Sequence, residues 1–100
     1  MKLYTVSQKV NNDYDTYDSM MVVAENEEDA RNIHPSIFVT HFRDDKWYGT
    51  YSGRDGEYVT ENEFGSWVNR KQLKELEVEY IGEADSKIKR GVVIASFNAG

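Results

Sequence analysis

Residues 19–35, SMMVVAENEEDARNIHP, join a predicted strand to a predicted helix and decide the fold class. The first part, SMMVVAE, is a near-continuous apolar run, which is typical of a strand buried on both faces. Asn26 is a favourable helix N-cap, and the acidic residues after it lie where the helix dipole favours negative charge. Pro35 disfavours helical geometry in the residue before it. We therefore expect one short helix over about residues 26–34.

Strand patterns occur on both sides of this unit. Residues 3–8 (LYTVSQ) are rich in β-forming residues. Residues 73–82 (LKELEVEYIG) alternate apolar side chains with glutamates, which predicts one buried face and one solvent face. Residues 92–97 (VVIASF) are apolar on both faces. We expect them to form a central strand that neighbours the strand at 20–24.

These segments predict an α+β fold. We expect a single domain over residues 1–100, built from a mainly antiparallel β-sheet with one short α-helix packed on a face. The middle, residues 37–69, is expected to be a variable insertion within that domain. It contains a predicted hairpin, in which residues 47–51 (WYGTY) pair with residues 57–61 (EYVTE) around an Asp-Gly turn.

Composition and charge limit the classes of function. The chain has no cysteine, which excludes disulfides and thiolate metal sites. Its net charge of −6 opposes direct non-specific nucleic-acid binding, which depends on Lys and Arg neutralising phosphates. No apolar run approaches the ~20 residues that span a bilayer, and the N-terminus lacks a signal-peptide core. We expect a cytoplasmic protein that makes no membrane contact.

The sequence carries no motif for a metal site or for catalysis. A calcium loop starting at Asp13 would need an oxygen ligand, a glycine and a glutamate where Tyr17, Asp18 and Ala24 stand. The two histidines match no zinc pattern, and neither a nucleophile elbow nor a phosphate-binding loop is present. We expect a non-enzymatic protein without a cofactor.

Aromatic side chains in polar settings form the candidate binding site. Tyr and Trp are enriched at binding hot spots because they supply large, rigid contact area with a polar group. The stretch NNDYDTYDS (11–19) is either a hairpin tip or a recognition surface, and its aspartates would meet basic groups on a partner. The predicted partner-binding residues are Asp13, Tyr14, Asp15, Tyr17, Asp18, Trp47, Tyr48 and Tyr51. This interpretation predicts that Tyr17→Ala abolishes partner capture without lowering the melting temperature.

Three stretches resemble a family of small uncharacterised bacteriophage and prophage proteins. They are NNDYDTYDSMMVVAENEEDARNIHP (11–35), IGEAD (81–85) and VVIASFNAG (92–100), and they cover somewhat under half of the chain. The family has no assigned activity, so the resemblance implies no residue roles. It implies a phage accessory protein in the cytoplasm of the bacterial host, acting by binding. It also leads us to expect Gly100 to be the natural C-terminus.

Three functions compete at this point. The first is binding and inhibition of a host protein, a component of bacterial defence. The second is a sponge that sequesters a nucleotide immune signal, cyclic or NAD-derived, with a homo-oligomer placing the site across subunits. Its predicted ligand-binding residues are Arg43, Lys46, Trp47, Tyr48 and Arg54. The third is an acidic nucleic-acid mimic, based on the predicted strand row of Glu75, Glu77 and Glu79 at about 7 Å spacing.

Overall fold

Seven strands, one α-helix and one 3₁₀ helix make up the described part of the chain. The computed structural model describes residues 1–11, 15–36, 39–44, 46–49, 58–59, 67–68 and 70–98, with the backbone alone at 40, 42, 58, 59 and 70. The elements are β1 (Lys2–Ser7), β2 (Thr16–Ala24), α1 (Glu27–Arg31), β3 (Val39–Arg43), β4 (Lys46–Gly49), β5 (Tyr58–Val59), a 3₁₀ helix (Arg70–Glu75), β6 (Glu77–Glu83) and β7 (Gly91–Asn98).

Four antiparallel strands form the main sheet, in the order β6-β1-β2-β7. The hairpin of β1 and β2 takes the two central positions, with Lys2 opposite Ala24 and Ser7 opposite Ser19. Strand β6 then pairs with β1, and β7 pairs with β2. The predicted α+β fold with an antiparallel sheet and one short helix is confirmed.

A smaller antiparallel sheet, in the order β3-β4-β5, lies in the middle of the sequence. The predicted pairing of the 47–51 and 57–61 segments is confirmed by the register, in which Tyr48 lies opposite Val59. The predicted turn at Asp55-Gly56 falls outside the described residues.

Helix α1 starts as predicted and ends earlier. The Asn26 Oδ1 accepts a hydrogen bond from the Asp29 N–H at 2.8 Å, and the Asp29 carboxylate accepts one from the Glu25 N–H at 3.0 Å. These two bonds satisfy N–H groups at the start of the helix. The helix ends at Arg31 because Asn32 leaves helical geometry and its N–H bonds the carbonyl of Asp29. The predicted span of 26–34 was therefore too long.

One apolar core connects the main sheet, the helix and the small sheet. On the main sheet, alternate residues of β1 and β2 face it, including Tyr4, Val6, Met20 and Val22. The other members are Ala24 at the end of β2 and, from elsewhere in the chain, Ala30, Ile33, Val39, Trp47, Trp67, Val68 and Leu76. Two hydrogen bonds attach the helix to the chain just before β6. They run from the Arg31 guanidinium to the carbonyls of Leu73 and Leu76, at 3.0 and 2.7 Å.

Three strand predictions need correction. Strand β7 was expected in the centre of the sheet. Among the described strands it pairs only with β2, so it is an edge strand of the described sheet. Residues 73–75 lie in the 3₁₀ helix rather than in a strand. Strand β2 begins at Thr16, so Tyr17 and Asp18, predicted in a loop, belong to the sheet.

The side chain of Gln8 closes the β1–β2 hairpin. Its Nε2 donates to the carbonyls of Asn11 and Tyr17 at 2.6 and 2.8 Å. Its Oε1 accepts from the backbone N–H groups of Val10 and Asn11 at 2.8 and 2.7 Å. Only 6% of Gln8 is exposed, so these bonds form in a low-dielectric environment, where an unpaired polar group is costly.

We expect Gln8→Ala to lower the free energy of unfolding by about 2 kcal/mol, because it leaves part-buried backbone groups without their side-chain partner. On a domain of this size the melting temperature should fall by about 10 °C in a thermal denaturation experiment. The exposed neighbour Lys9 provides the control, and Lys9→Ala should shift stability by no more than about 0.5 kcal/mol. Equal melting temperatures for the two variants would contradict this role of Gln8.

Candidate functional site

The two edge strands of the main sheet differ in their chemistry. Strand β6 carries exposed glutamates at 77, 79 and 83. Charged side chains of this kind are a common protection of sheet edges against pairing with other chains. Strand β7, with the sequence GVVIASFN, has no charged residue and no proline. In the part of the chain that the structure describes, no strand pairs with its outer side.

Strand β7 exposes large apolar side chains together with its free backbone edge. The exposed fractions are 50% for Val93, 66% for Ile94 and 47% for Phe97. Ile94 lies opposite Met21, and Val93 is the extra residue of a β-bulge between the Met21 and Val22 pairs. An edge strand presents unpaired N–H and C=O groups to solvent. We call the outer side of Gly91–Phe97 the β7 edge, and it is our candidate functional site.

A groove of about 690 Å³ runs beside the β7 edge, between β7 and the chain that follows α1. One wall is formed by residues 90–95 and the other by residues 32–36. Tyr17 and Val39 complete the lining. The groove is mixed in character, with apolar side chains next to the polar ends of Asn32, Ser36 and Arg90.

His34 lies in this groove as a half-buried neutral group. Its Nδ1 accepts a hydrogen bond from the Ser36 N–H at 3.0 Å, and its ring meets Trp47 edge to face at 5.1 Å between centroids. Burial lowers the pKa of His34 to about 3. A histidine just after a helix often bonds the last helix carbonyls. The structure instead shows the ring closing a turn after the helix.

An ion pair fixes the start of β7 against α1. The Arg90 Nε lies 2.9 and 3.0 Å from the two Asp29 oxygens, and a second guanidinium nitrogen lies 2.9 Å from one of them. Partial burial would raise the pKa of Asp29. The bonds from Arg90 and from the Glu25 N–H outweigh this and hold that pKa below its usual range. Gly91 follows at φ 144°, a backbone conformation that other residues rarely adopt.

The two ends of the β7 edge carry opposite charge. Exposed Lys87, Lys89 and Arg90 precede the strand. At its other end the Asp15 N–H donates to the carbonyl of Asn98 at 2.7 Å, and the Ser96 hydroxyl lies 3.5 Å from the Asp18 carboxylate. The β7 edge therefore runs from a basic end to an acidic end.

The predicted loop residues are only partly brought together. Asp15 and Asp18 are exposed beside the end of β7, where they contact Asn98 and Ser96. Tyr17 is half-buried against the core, with its ring 4.8 Å from that of Phe97. Tyr17→Ala should therefore lower the melting temperature, unlike our expectation from sequence. Asp13 and Tyr14 lie outside the described residues.

The predicted hairpin residues divide between the two faces of the small sheet. Trp47 is 2% exposed and its Nε1 donates to the carbonyl of Val68 at 3.0 Å, so its position supports a structural role. Tyr48, on the other face, stacks on His41 at 5.6 Å between ring centroids. The Arg43 guanidinium lies 4.5 Å from the centre of the Tyr48 ring. Lys46 is exposed, and Tyr51 and Arg54 lie outside the described residues.

The described residues contain neither a candidate metal site nor a helix that could span a membrane. No group of three or more His, Asp or Glu side chains among them could hold a metal ion. No helix within the same residues is long and apolar enough to cross a bilayer.

Comparison with protein-family models, with curated proteins and with solved structures returned no match for this chain. The site is therefore described from its own geometry.

Sequence reasoning missed the apolar residues of the β7 edge, chiefly Val93, Ile94 and Phe97. A run that is apolar on both faces predicts burial on both faces, and the sequence contains no signal that places this run last in the strand order.

The lowered pKa of His34 leads us to expect a defined pH dependence of stability. The folded pKa of about 3 lies below the ordinary value of 6.5, so the unfolded chain binds a proton first as the pH falls. The wild type should lose stability below pH 6.5, by up to about 1.4 kcal/mol per pH unit. We expect the stability difference between wild type and His34→Gln to shrink as the pH falls from 7 to about 4.5, measured by urea denaturation. Parallel pH curves for the two proteins would show that His34 is not the titrating group.

Proposed function

We propose that this chain is a non-enzymatic binding protein that captures an extended segment of a protein partner by strand addition at the β7 edge. The observation that supports this proposal most is the mismatch between the composition of β7 and its position. The strand has the two-sided apolar composition of a central strand, but it lies at the edge of the described sheet.

Strand addition uses the features that the β7 edge presents. Main-chain hydrogen bonds to the free N–H and C=O groups give affinity, and contacts to alternate side chains give specificity. A segment bound here would cover exposed Ile94 on one face of the sheet. On the other face its side chains could enter the groove between β7 and His34.

The acidic end of the β7 edge favours a partner segment with basic residues. Asp15 and Asp18 are exposed where β7 ends, and no charge of either sign interrupts the strand itself. Charges at the rim of an interface act mainly on the association rate and on the choice of partner. In this proposal Asp15 and Asp18 keep the role predicted from the sequence, which is to meet basic groups on a partner. The apolar contact is made by β7 and not by the tyrosines.

The biological setting of this proposal comes from the resemblance to phage proteins alone. In that setting the chain is a phage accessory protein in the cytoplasm of the bacterial host. Its partner is a host protein, a component of bacterial defence, which it inhibits by occupying one of its exposed segments. The assignment of the partner to this class is an argument by association.

A nucleotide sponge remains the second candidate, supported by the cluster of Arg43, Tyr48 and His41. Stacked rings beside a guanidinium suit a nucleobase and its phosphates, although Trp47 is buried away from them. A rise in melting temperature with a cyclic or NAD-derived nucleotide, lost in Tyr48→Ala, would favour this alternative.

The acidic nucleic-acid mimic has less support than the sequence suggested. Glu75 lies in the 3₁₀ helix, so the strand-spaced row is reduced to Glu77 and Glu79.

We expect Ile94→Lys to abolish capture of the partner from a host lysate, because it places a charge on the apolar side of the β7 edge. Ile94 is 66% exposed, so the variant should keep its melting temperature within a few degrees of wild type. The measurement is affinity capture with the full chain followed by mass spectrometry.

Ile81→Lys is the matched control, since Ile81 is 48% exposed on the opposite edge strand and the change in charge is the same. A partner recovered by wild type and by Ile81→Lys, but not by Ile94→Lys, would support the proposal. Equal recovery by all three proteins would contradict binding at the β7 edge.

A further inference from the structure

We infer that the β7 edge pairs with the β7 edge of a second copy of this chain, antiparallel and about a two-fold axis. The four strands of each copy would then form one continuous sheet of eight strands. The inference concerns the same edge as the proposed function, and it names a second copy as an occupant of that edge.

The apolar composition of β7 makes the edge self-complementary. In a two-fold interface the same surface patch contributes from both copies. Each copy supplies eight residues without charge or proline, and the exposed parts of Val93, Ile94 and Phe97 would be covered on both sides. Eight strands lie within the usual range for a sheet. Pairing would place β7 in the central position that its composition predicts.

The charges at the ends of β7 select the antiparallel orientation. The basic residues Lys87 and Lys89 precede the strand, and Asp15 and Asp18 lie beside its other end. In an antiparallel pair the basic end of each copy lies next to the acidic end of the other. A parallel pair would place like charges together, which is unfavourable.

The position of Asp18 indicates the register. Its carboxylate lies 3.5 Å from the Ser96 hydroxyl, so it lies beside β7. We place the centre of the pairing near the bulge at Val93, so that residue 96 of one copy lies opposite residue 90 of the other. Lys89 of each copy is then close to Asp18 of the other, and two-fold symmetry makes this contact twice.

The net charge of −6 on each copy works against association. At physiological ionic strength, however, charges separated by more than about 8 Å are largely screened. In the proposed pair Asp18 and Lys89 of the other copy would be direct neighbours, and direct neighbours are screened less than charges farther apart. The local charge pattern should therefore outweigh the net repulsion.

The chain itself contains a segment that meets the requirements of the β7 edge. An occupant must be extended and apolar, with basic residues where it approaches Asp15 and Asp18. Residues 87–97, KIKRGVVIASF, have this order of basic and apolar residues. A second copy therefore meets these requirements, and a host segment would have to displace it to bind the same edge.

The experiment is sedimentation velocity of the full chain over a concentration series. We expect wild type and Ile81→Lys to sediment as dimers at micromolar concentration, and Ile94→Lys to sediment as a monomer with unchanged circular dichroism. A wild type that remains monomeric up to about 100 µM would overturn the inference, and so would a dimer that Ile94→Lys leaves intact.

A charge exchange tests the antiparallel register. Asp18→Lys and Lys89→Glu should each raise the dimer dissociation constant about tenfold, because each places like charges together, and the double variant should recover most of the loss. Glu79→Lys, on the β6 side of the sheet, is the control and should not weaken the dimer. Additive losses in the double variant would overturn the register.

The outcome of the dimer experiments can be distinguished from the outcome of the partner-capture experiment. A monomer whose partner capture still depends on Ile94 would refute the self-pairing and keep the proposed function. A dimer that captures no partner would do the reverse.

Discussion

The side-chain amide of Gln8 closes the hairpin that takes the two central positions of the main sheet. Its four hydrogen bonds close the turn between β1 and β2 and fix the backbone at Tyr17. With this hairpin closed, β1 and β2 each have one free side, and β6 and β7 take those two places. Strand β7 thus reaches an edge position although its composition is that of a central strand. The candidate site results from this conflict between local sequence and strand order.

Natural sequences usually agree with their structure at every level, and a local disagreement often marks a functional site. The two edges of the main sheet illustrate the difference. Strand β6 follows the rule for a protected edge, with Glu77, Glu79 and Glu83 exposed. Strand β7 breaks that rule with exposed Val93, Ile94 and Phe97, although its pairing with β2 is irregular at two places. Pairing with another strand would remove the disagreement, whether that strand comes from a second copy or from a partner.

Local signals in the sequence predicted the elements well, and long-range placement was not predictable from them. The N-cap at Asn26, the helix after β2 and the pairing of β4 with β5 all followed from nearby residues. The edge position of β7 did not, because a two-sided apolar run gives no information about which side of the sheet is vacant. Trp47 shows the same limit, since an aromatic residue in a polar hairpin can face either the core or a partner, and here it bonds Val68 in the core. The acidic residues Asp15 and Asp18 were found from sequence because exposed charge is a local property.

Residue-resolved amide hydrogen exchange over a concentration series tests the central claim most directly, because it measures whether the outer side of β7 is free. At low concentration the account predicts fast exchange at alternate amides of β7, those that point away from β2. It predicts that these amides become protected as the concentration rises, while the exchange of β6 stays the same. Outward amides of β7 that are already protected in the monomer would contradict the account, since the edge would then be covered by the chain itself.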